Sequence, residues 1–275
     1  VISARDVSEV DRIVREVAEQ EIVSRFGRLV AGEIAEKAPG DLVTVADRAA
    51  EEALTARLTA LLPGSTVVGE EAVSADPGVL KALDGPDPVW IVDPIDGTHN
   101  FVAGNPRFAT LVALARQGEL LASWTYAPEL DLMATASAGG GARVDGRPVR
   151  VGAAPSTLRH LDVCASQPRW WTAEQQARFN ALCGHGVSLC FLDTSGLEYV
   201  ELAAGRRTAM VLTWEYPWDH AAGLLLHAEA GGVAVGADGA PFRLSGGNAL
   251  PVVVAPDADC AARLHAALAG RAQPA

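Results

Sequence analysis

Apolar positions recur at three- and four-residue steps near the start of the chain. Val7, Val10, Ile13, Val14 and Val17 alternate with charged residues, which predicts an amphipathic helix over residues 6 to 36. KAPGD (37–41) breaks the rhythm. LVTVADRAAEEALTARLTALLPG (42–64) then predicts a short β start running into a second helix, which Pro63-Gly64 ends. STVVG (65–69) predicts a short strand that stops at Gly69, and residues 74 to 88, rich in Pro, Asp and Gly, predict a loop. Trp90, Ile91 and Val92 open a buried strand.

From Arg107 to about Arg150 the period falls to two. FATLVALAR, LLASWTYAP, LMATASA and GARVDGRPVRV, with turn residues between them, predict an antiparallel meander. Beyond Pro155 strands and helices mix: LDVCASQ, AMVLTWEY and PVVVAP read as strands, while TAEQQARFNALC, SGLEYVELAAG, DHAAGLLLHAEAGG and ADCAARLHAAL read as helices. The pattern divides into an α+β part, residues 1–153, and an α/β part, residues 154–275, with a soft boundary near 152–156.

Composition narrows the class. A chain of 275 residues buries roughly 75 % of its unfolded surface and needs no staples. The four cysteines (Cys164, Cys183, Cys190 and Cys260) make no Cys-x-x-Cys pair, so neither a zinc knuckle nor a disulfide framework is indicated. The first residues carry scattered charges unlike a secretory leader, and no run approaches the roughly 18 apolar residues of a membrane span. A cytoplasmic protein without a membrane partner is expected. The net charge of −12 argues against nucleic acid. It also means that an anionic substrate needs something positive between itself and the protein.

The candidate chemistry centres on WIVDPIDGTHNF (90–101). Asp93, ahead of Pro94, is expected to be extended and to end the strand. Gly97 permits tight backbone approach or positive φ, and Thr98 is a candidate helix N-cap. Two carboxylates about 4 Å apart repel by ~4 kcal/mol at an effective dielectric near 20, a burden that a hard cation such as Mg²⁺ relieves. Acids sit at comparable places elsewhere. Glu70 and Glu71 follow Gly69, Asp47 lies three after Thr44 as in a capping box, and Asp219 opens a helix in WDHAAG. Each has a structural alternative as a cap or a solvated turn. AGGGAR (138–143) lacks the Lys-Ser/Thr of a phosphate-binding loop and reads as a hairpin.

Taken together, GEE (69–71), WIVDPIDGTHNF, WDHAAGLLLHAEAGG (218–232) and DLVTVADRAAEEAL (41–54) resemble the inositol monophosphatase family of Mg²⁺-dependent, lithium-sensitive phosphatases. The resemblance implies a layered α/β/α/β/α sandwich, often a homodimer. It implies two or three Mg²⁺ ions held by Glu70, Asp93, the Ile95 carbonyl, Asp96 and Asp219. Asp47 and Thr98, with Glu70, would activate the attacking water, and Gly97 and Thr98 would receive the phosphate. The implied substrate is a small polyol phosphate, inositol 1-phosphate by default, with histidinol, sugar and nucleotide phosphates as alternatives. A non-catalytic binding member is the alternative of another class.

The chain departs from the family pattern in its second half. Where many relatives place a Glu seven residues before the last metal-binding Asp, this chain has Leu212, with Glu215 nearby. Asp193, Ser195 and Glu215 are the candidates for touching the alcohol. Trp170, Trp171 and Trp214 are candidates for a pocket wall or for the core, and His99 and His220 flank the motifs.

Overall fold

The computed structural model describes residues 4–270. Helix α1 (Ala4–Val17) opens it and then loosens into a π turn at Ala18–Ile22 and a 3-10 turn at Val23–Arg25. The wider turn re-phases the apolar stripe, so that Ala18 and Ile22 stay buried. The helix expected to reach residue 36 therefore ends early. Its supposed tail is strand β1 (Ile34–Ala38), which pairs antiparallel with β2 (Asp41–Thr44) around Pro39-Gly40. Sequence periodicity missed β1 because it is short and largely exposed, so backbone pairing rather than an apolar stripe defines it.

Helix α2 (Val45–Leu61) starts at the expected capping box. Thr44 accepts from the Asp47 N–H while the Asp47 carboxylate accepts from the Thr44 N–H. Strand β3 (Thr66–Gly69) leads into helix α3 (Glu70–Ala75), and residues 77–84, expected as loop, coil into a 3-10 helix capped by Asp76. Strand β4 (Pro88–Asp96), helix α4 (Thr98–Val102) and the meander β5 (Ala109–Arg116), β6 (Glu119–Ala127), β7 (Leu132–Ser137), β8 (Gly141–Val144) and β9 (Arg147–Pro148) follow. The remaining elements are β10 (Asp162–Ala165), α5 (Ala173–Gly184), β11 (Ser188–Phe191), α6 (Ser195–Ala203), β12 (Ala209–Leu212), α7 (Pro217–Glu229), β13 (Val233–Val235), β14 (Val252–Ala255) and α8 (Ala258–Leu268).

The larger sheet runs β3-β4-β5-β6-β7-β8-β9, antiparallel apart from the parallel β3–β4 pair. The smaller runs β11-β10-β12-β14-β13, with β11, β10 and β12 parallel. Strand β4 shows how the layers assemble. Trp90 and Val92 face α1 and α2, while Val89 and Ile91 face the layer of α6 and α7. This two-residue alternation with both faces apolar marks a strand buried on both sides. Tyr199 of α6 and Leu224 of α7 pack in turn on Cys164, Met210 and Val254 of the smaller sheet. Phe179 of α5 and Leu264 of α8 close its far face. The order is α/β/α/β/α, the sandwich that the family resemblance implies. No helix among the described residues is long and apolar enough to cross a membrane.

Candidate active site

Asp93 and Asp96 are three residues apart, which in a regular strand would send them to opposite faces. The structure turns them to the same side with a bulge. Asp93 pairs with Leu111 and Asp96 with Ala109, so three steps on β4 oppose two on β5. Ile95 consequently joins Trp90 and Val92 in the α1/α2 core. Pro94 sits in the bulge, where its missing N–H is tolerated, and its carbonyl accepts from Thr110 Oγ1 at 2.9 Å. The strand does not end at Asp93 as expected but runs to Asp96.

Asp219 meets this pair from the first turn of α7. It is not the N-cap, as its sequence suggested, because Tyr216 caps the helix and Asp219 is its third residue. One carboxylate oxygen from each of Asp93, Asp96 and Asp219 lies within 4.8 Å of the others. Two are anchored: Trp214 Nε1 donates to Asp219 Oδ2 at 2.6 Å, and Asp96 accepts the N–H groups of Ser195 (3.2 Å) and Gly196 (2.6 Å) at the start of α6. Asp93 Oδ1, by contrast, is buried with no hydrogen-bond partner.

The opposite wall comes from β1, α2 and α3. Asp47 Oδ2 accepts from the Thr44 N–H (2.8 Å) and Oγ1 (2.6 Å), which leaves Oδ1 facing Thr98 Oγ1 at 3.3 Å. That hydroxyl also lies 3.0 Å from the Ile95 carbonyl. Gly97, not Thr98, is the N-cap of α4. It takes φ +89°, and a Cβ there would collide with the Thr194 methyl. Glu70 and Glu71 share an ion pair with Lys37 of β1. Behind them Glu51 of α2 accepts the N–H groups of Glu71 and Ala72, both at 2.8 Å, and so caps α3 from outside it. Gly69 leaves room for this contact, since a Cβ there would displace the Glu51 carboxylate.

Burial pushes these acids up. Asp47 rises to about 6 against the opposing Thr44 bonds, and Asp96 to about 6 against the N–H groups of Gly196 and Ser195. Glu70 rises to about 7 despite Lys37. Asp93 and Asp219 are pushed well above the usual range by burial and then by their acidic neighbours. Lys37, pulled down by burial, is raised overall by Glu70 and Glu71. Such a group carries either protons or a cation. An all-oxygen donor set with an orphaned buried carboxylate oxygen fits a hard divalent ion.

A cavity of about 680 Å³ opens over Asp96 and Asp219, bounded by Lys37 and Glu70 on one side and by Asp193, Thr194, Ser195 and Trp214 on the other. Asp193 and Ser195 thus reach it, whereas Glu215 is not among its lining residues and is held by the Asn248 N–H (2.8 Å) and Nδ2 (2.9 Å). Trp170 lines the cavity, while Trp171 stacks on Phe179 in the core at 4.1 Å. His99 is exposed. His220 is buried against Trp214, and burial lowers it to about 3, so it is neutral. Lys37, Glu51 and the Trp214–Asp219 contact escaped the sequence reading. The one signal available for Lys37 was its place in the segment that broke the helical period.

The model of the inositol monophosphatase family matches residues 4–273. An inositol-1-monophosphatase of Rhizobium meliloti is 35 % identical over 229 residues, covering 81 % of this chain and 82 % of that protein. The Nus factor SuhB of Pseudomonas aeruginosa is 33 % identical over 218 residues, covering 75 % of this chain and 76 % of that one. Among solved structures, the extragenic suppressor protein suhB of Bartonella henselae superposes with a TM-score of 0.82 at 27 % identity, covering 97 % of this chain and 98 % of that one.

Proposed function

The chain belongs to the inositol monophosphatase family, and we propose that it is a Mg²⁺-dependent phosphomonoesterase acting on the phosphate ester of a small polyol, with inositol 1-phosphate as the reference substrate. The observation that carries this reading is the convergence of Asp93, Asp96 and Asp219 within 4.8 Å, with Asp96, Asp219 and Glu70 lining one cavity. A scaffold alone has no use for buried carboxylates that repel one another.

Glu70, Asp93, Asp96, Asp219 and the Ile95 carbonyl would hold two or three Mg²⁺ ions, and Li⁺ inhibition is expected with them. Mg²⁺ held there would offset the charge of the phosphate and lower the pKa of a bound water, which would then give up its proton more readily as a nucleophile. The chain's own groups do the rest. Asp47 is the acceptor at the head of the proton path. Its Oδ2 is occupied by Thr44, so Oδ1 remains for the Thr98 hydroxyl, which passes on the proton of the attacking water. Thr44 fixes Asp47 with its Oδ1 in reach of the Thr98 hydroxyl, so the pair is set without reorganising. Gly97 and Thr98 offer backbone N–H groups to the phosphate. Lys37, paired with Glu70 and Glu71, offsets part of the negative charge of the cavity wall and so lessens the repulsion that an anion meets.

Phosphate release from a panel of esters, with and without Mg²⁺, tests the reading. Release that requires Mg²⁺ and vanishes in Asp93→Asn is expected. No release above that variant's level would leave a binding role, in line with the relative named a Nus factor.

A further inference from the structure

The two most exposed aromatic side chains among the described residues are Trp170, 52 % exposed, and Tyr216, 56 % exposed, and both line the candidate active-site cavity. Single exposed apolar residues need no explanation, but two large rings at one opening do. Each is braced. Tyr216 stacks on Trp218 with centroids 5.0 Å apart and planes 5° apart, and Arg169 lies over Trp170 at 5.4 Å. Trp170 also abuts the β1–β2 turn, where a Cβ at Gly40 would stand 3.2 Å from its ring. The adjacent Trp171, stacked on Phe179 and donating to Ser166 Oγ at 2.8 Å, serves the core instead.

The polar groups of this wall point the same way. A polyol needs hydrogen-bonding side chains around its hydroxyls. Leu212 is fully buried in β12 and Glu215 is engaged by Asn248, so neither supplies the cavity with a carboxylate. Besides Asp219, which Trp214 holds, the acid that reaches it from this side of the mouth is Asp193, which is exposed and makes no hydrogen bond or ion pair with the described residues. Two braced rings and one free carboxylate suit a flat ring that carries N–H groups. The cavity, at about 680 Å³, holds such a molecule with its phosphate.

We propose that the alcohol half of the substrate carries a flat, nitrogen-containing aromatic ring, which stacks on Trp170 and Tyr216 and donates to Asp193. This rests on the phosphatase reading above and narrows it. A nucleoside monophosphate and an imidazole-bearing amino-alcohol phosphate share this chemistry.

The test is steady-state hydrolysis, with Mg²⁺, of adenosine 2′- and 5′-monophosphate and histidinol phosphate against inositol 1-phosphate and glycerol 2-phosphate. The better ring-bearing ester is expected to exceed the ring-free ones in kcat/KM by about tenfold, and its identity distinguishes the two sources. Trp170→Ala and Tyr216→Ala should each lower the ratio of kcat/KM for that ester over glycerol 2-phosphate about tenfold, through KM. Adenosine or histidinol without phosphate should quench tryptophan fluorescence, and the Trp170→Ala variant should lose that quenching. Equal kcat/KM with and without a ring, or variants that slow all esters alike, would overturn the ring proposal and leave the phosphatase standing. No hydrolysis of any ester would overturn both.

Discussion

The two walls of the cavity are built on different terms. On the wall from residues 37 to 98, polar groups are tied to one another: Asp47 to Thr44 and Thr98, Glu70 to Lys37, and the start of α3 to Glu51. On the wall from residues 166 to 219, Trp214 holds Asp219, but the rings of Trp170 and Tyr216 stand open and Asp193 has no partner among the described residues. A group that handles a proton or a cation must be held in place, whereas a surface that selects an alcohol stays open until the alcohol arrives. Asp93 is the exception on the first wall, since its Oδ1 is buried without a partner. It is where the fold carries a burden that only a ligand relieves.

The largest expected effect tests that exception. Asp93→Asn should lower kcat roughly a thousandfold. In metal-free protein it should also raise Tm, because the Asp93 carboxyl, crowded by Glu70, Asp96 and Asp219, must take up a proton to stay buried and the amide need not. Asp96→Asn should lose turnover comparably but lower Tm by several degrees, because Asp96 also receives Ser195 and Gly196 at the start of α6. Paired activity and melting measurements separate the two. A drop in Tm for metal-free Asp93→Asn would mean that its carboxylate serves the fold.

A smaller effect probes the held wall from behind. Glu51→Gln leaves an amide nitrogen facing one of the N–H groups of Glu71 and Ala72, so stability should fall by about 1–2 kcal/mol. With α3 loosened and Glu70 displaced, kcat should fall about tenfold. An unchanged kcat in a destabilised variant would separate α3 from the reaction.

What the sequence disclosed follows the same division. Asp47, Glu70, Asp93, Asp96 and Asp219 each read singly as a cap or a turn, and the family resemblance singled them out together; the structure gathers Asp93, Asp96 and Asp219. The change of period at Arg107 and again after Pro155 showed an α+β part followed by an α/β part, while the layering came from the family resemblance. Contacts that join distant segments were not legible. Nothing near Asp96 indicates that it caps a helix a hundred residues away, and the bulge that turns it beside Asp93 is visible only against β5. Lys37 was hidden because β1 is too short and exposed to show a strand period. The open wall was least legible, since Trp170 and Trp171 are neighbours of one type and only packing sends one outward and the other into the core.

Helix α7 bridges the comparison and carries the smallest predicted effect. Asp219 in its first turn belongs to the site, while His227 near its end is buried, with its Nε2 2.9 Å from the Ala255 carbonyl and its Nδ1 unpartnered. Burial lowers its pKa below the ordinary 6.5, although the Ala255 bond opposes. Folding therefore keeps the ring neutral where the unfolded chain would protonate it. The stability this group contributes is intact above about pH 6.5 and is lost as pH falls below it. At one unit below, the loss reaches up to ~1.4 kcal/mol, a few degrees in Tm for a chain of this size. His227→Gln keeps a donor for Ala255 and removes the titration. With Mg²⁺ present to hold the site acids ionised, its Tm should fall less between pH 7.5 and 5.5 than that of the unaltered chain. Equal slopes would place the acid sensitivity elsewhere, on the exposed wall or at the site itself.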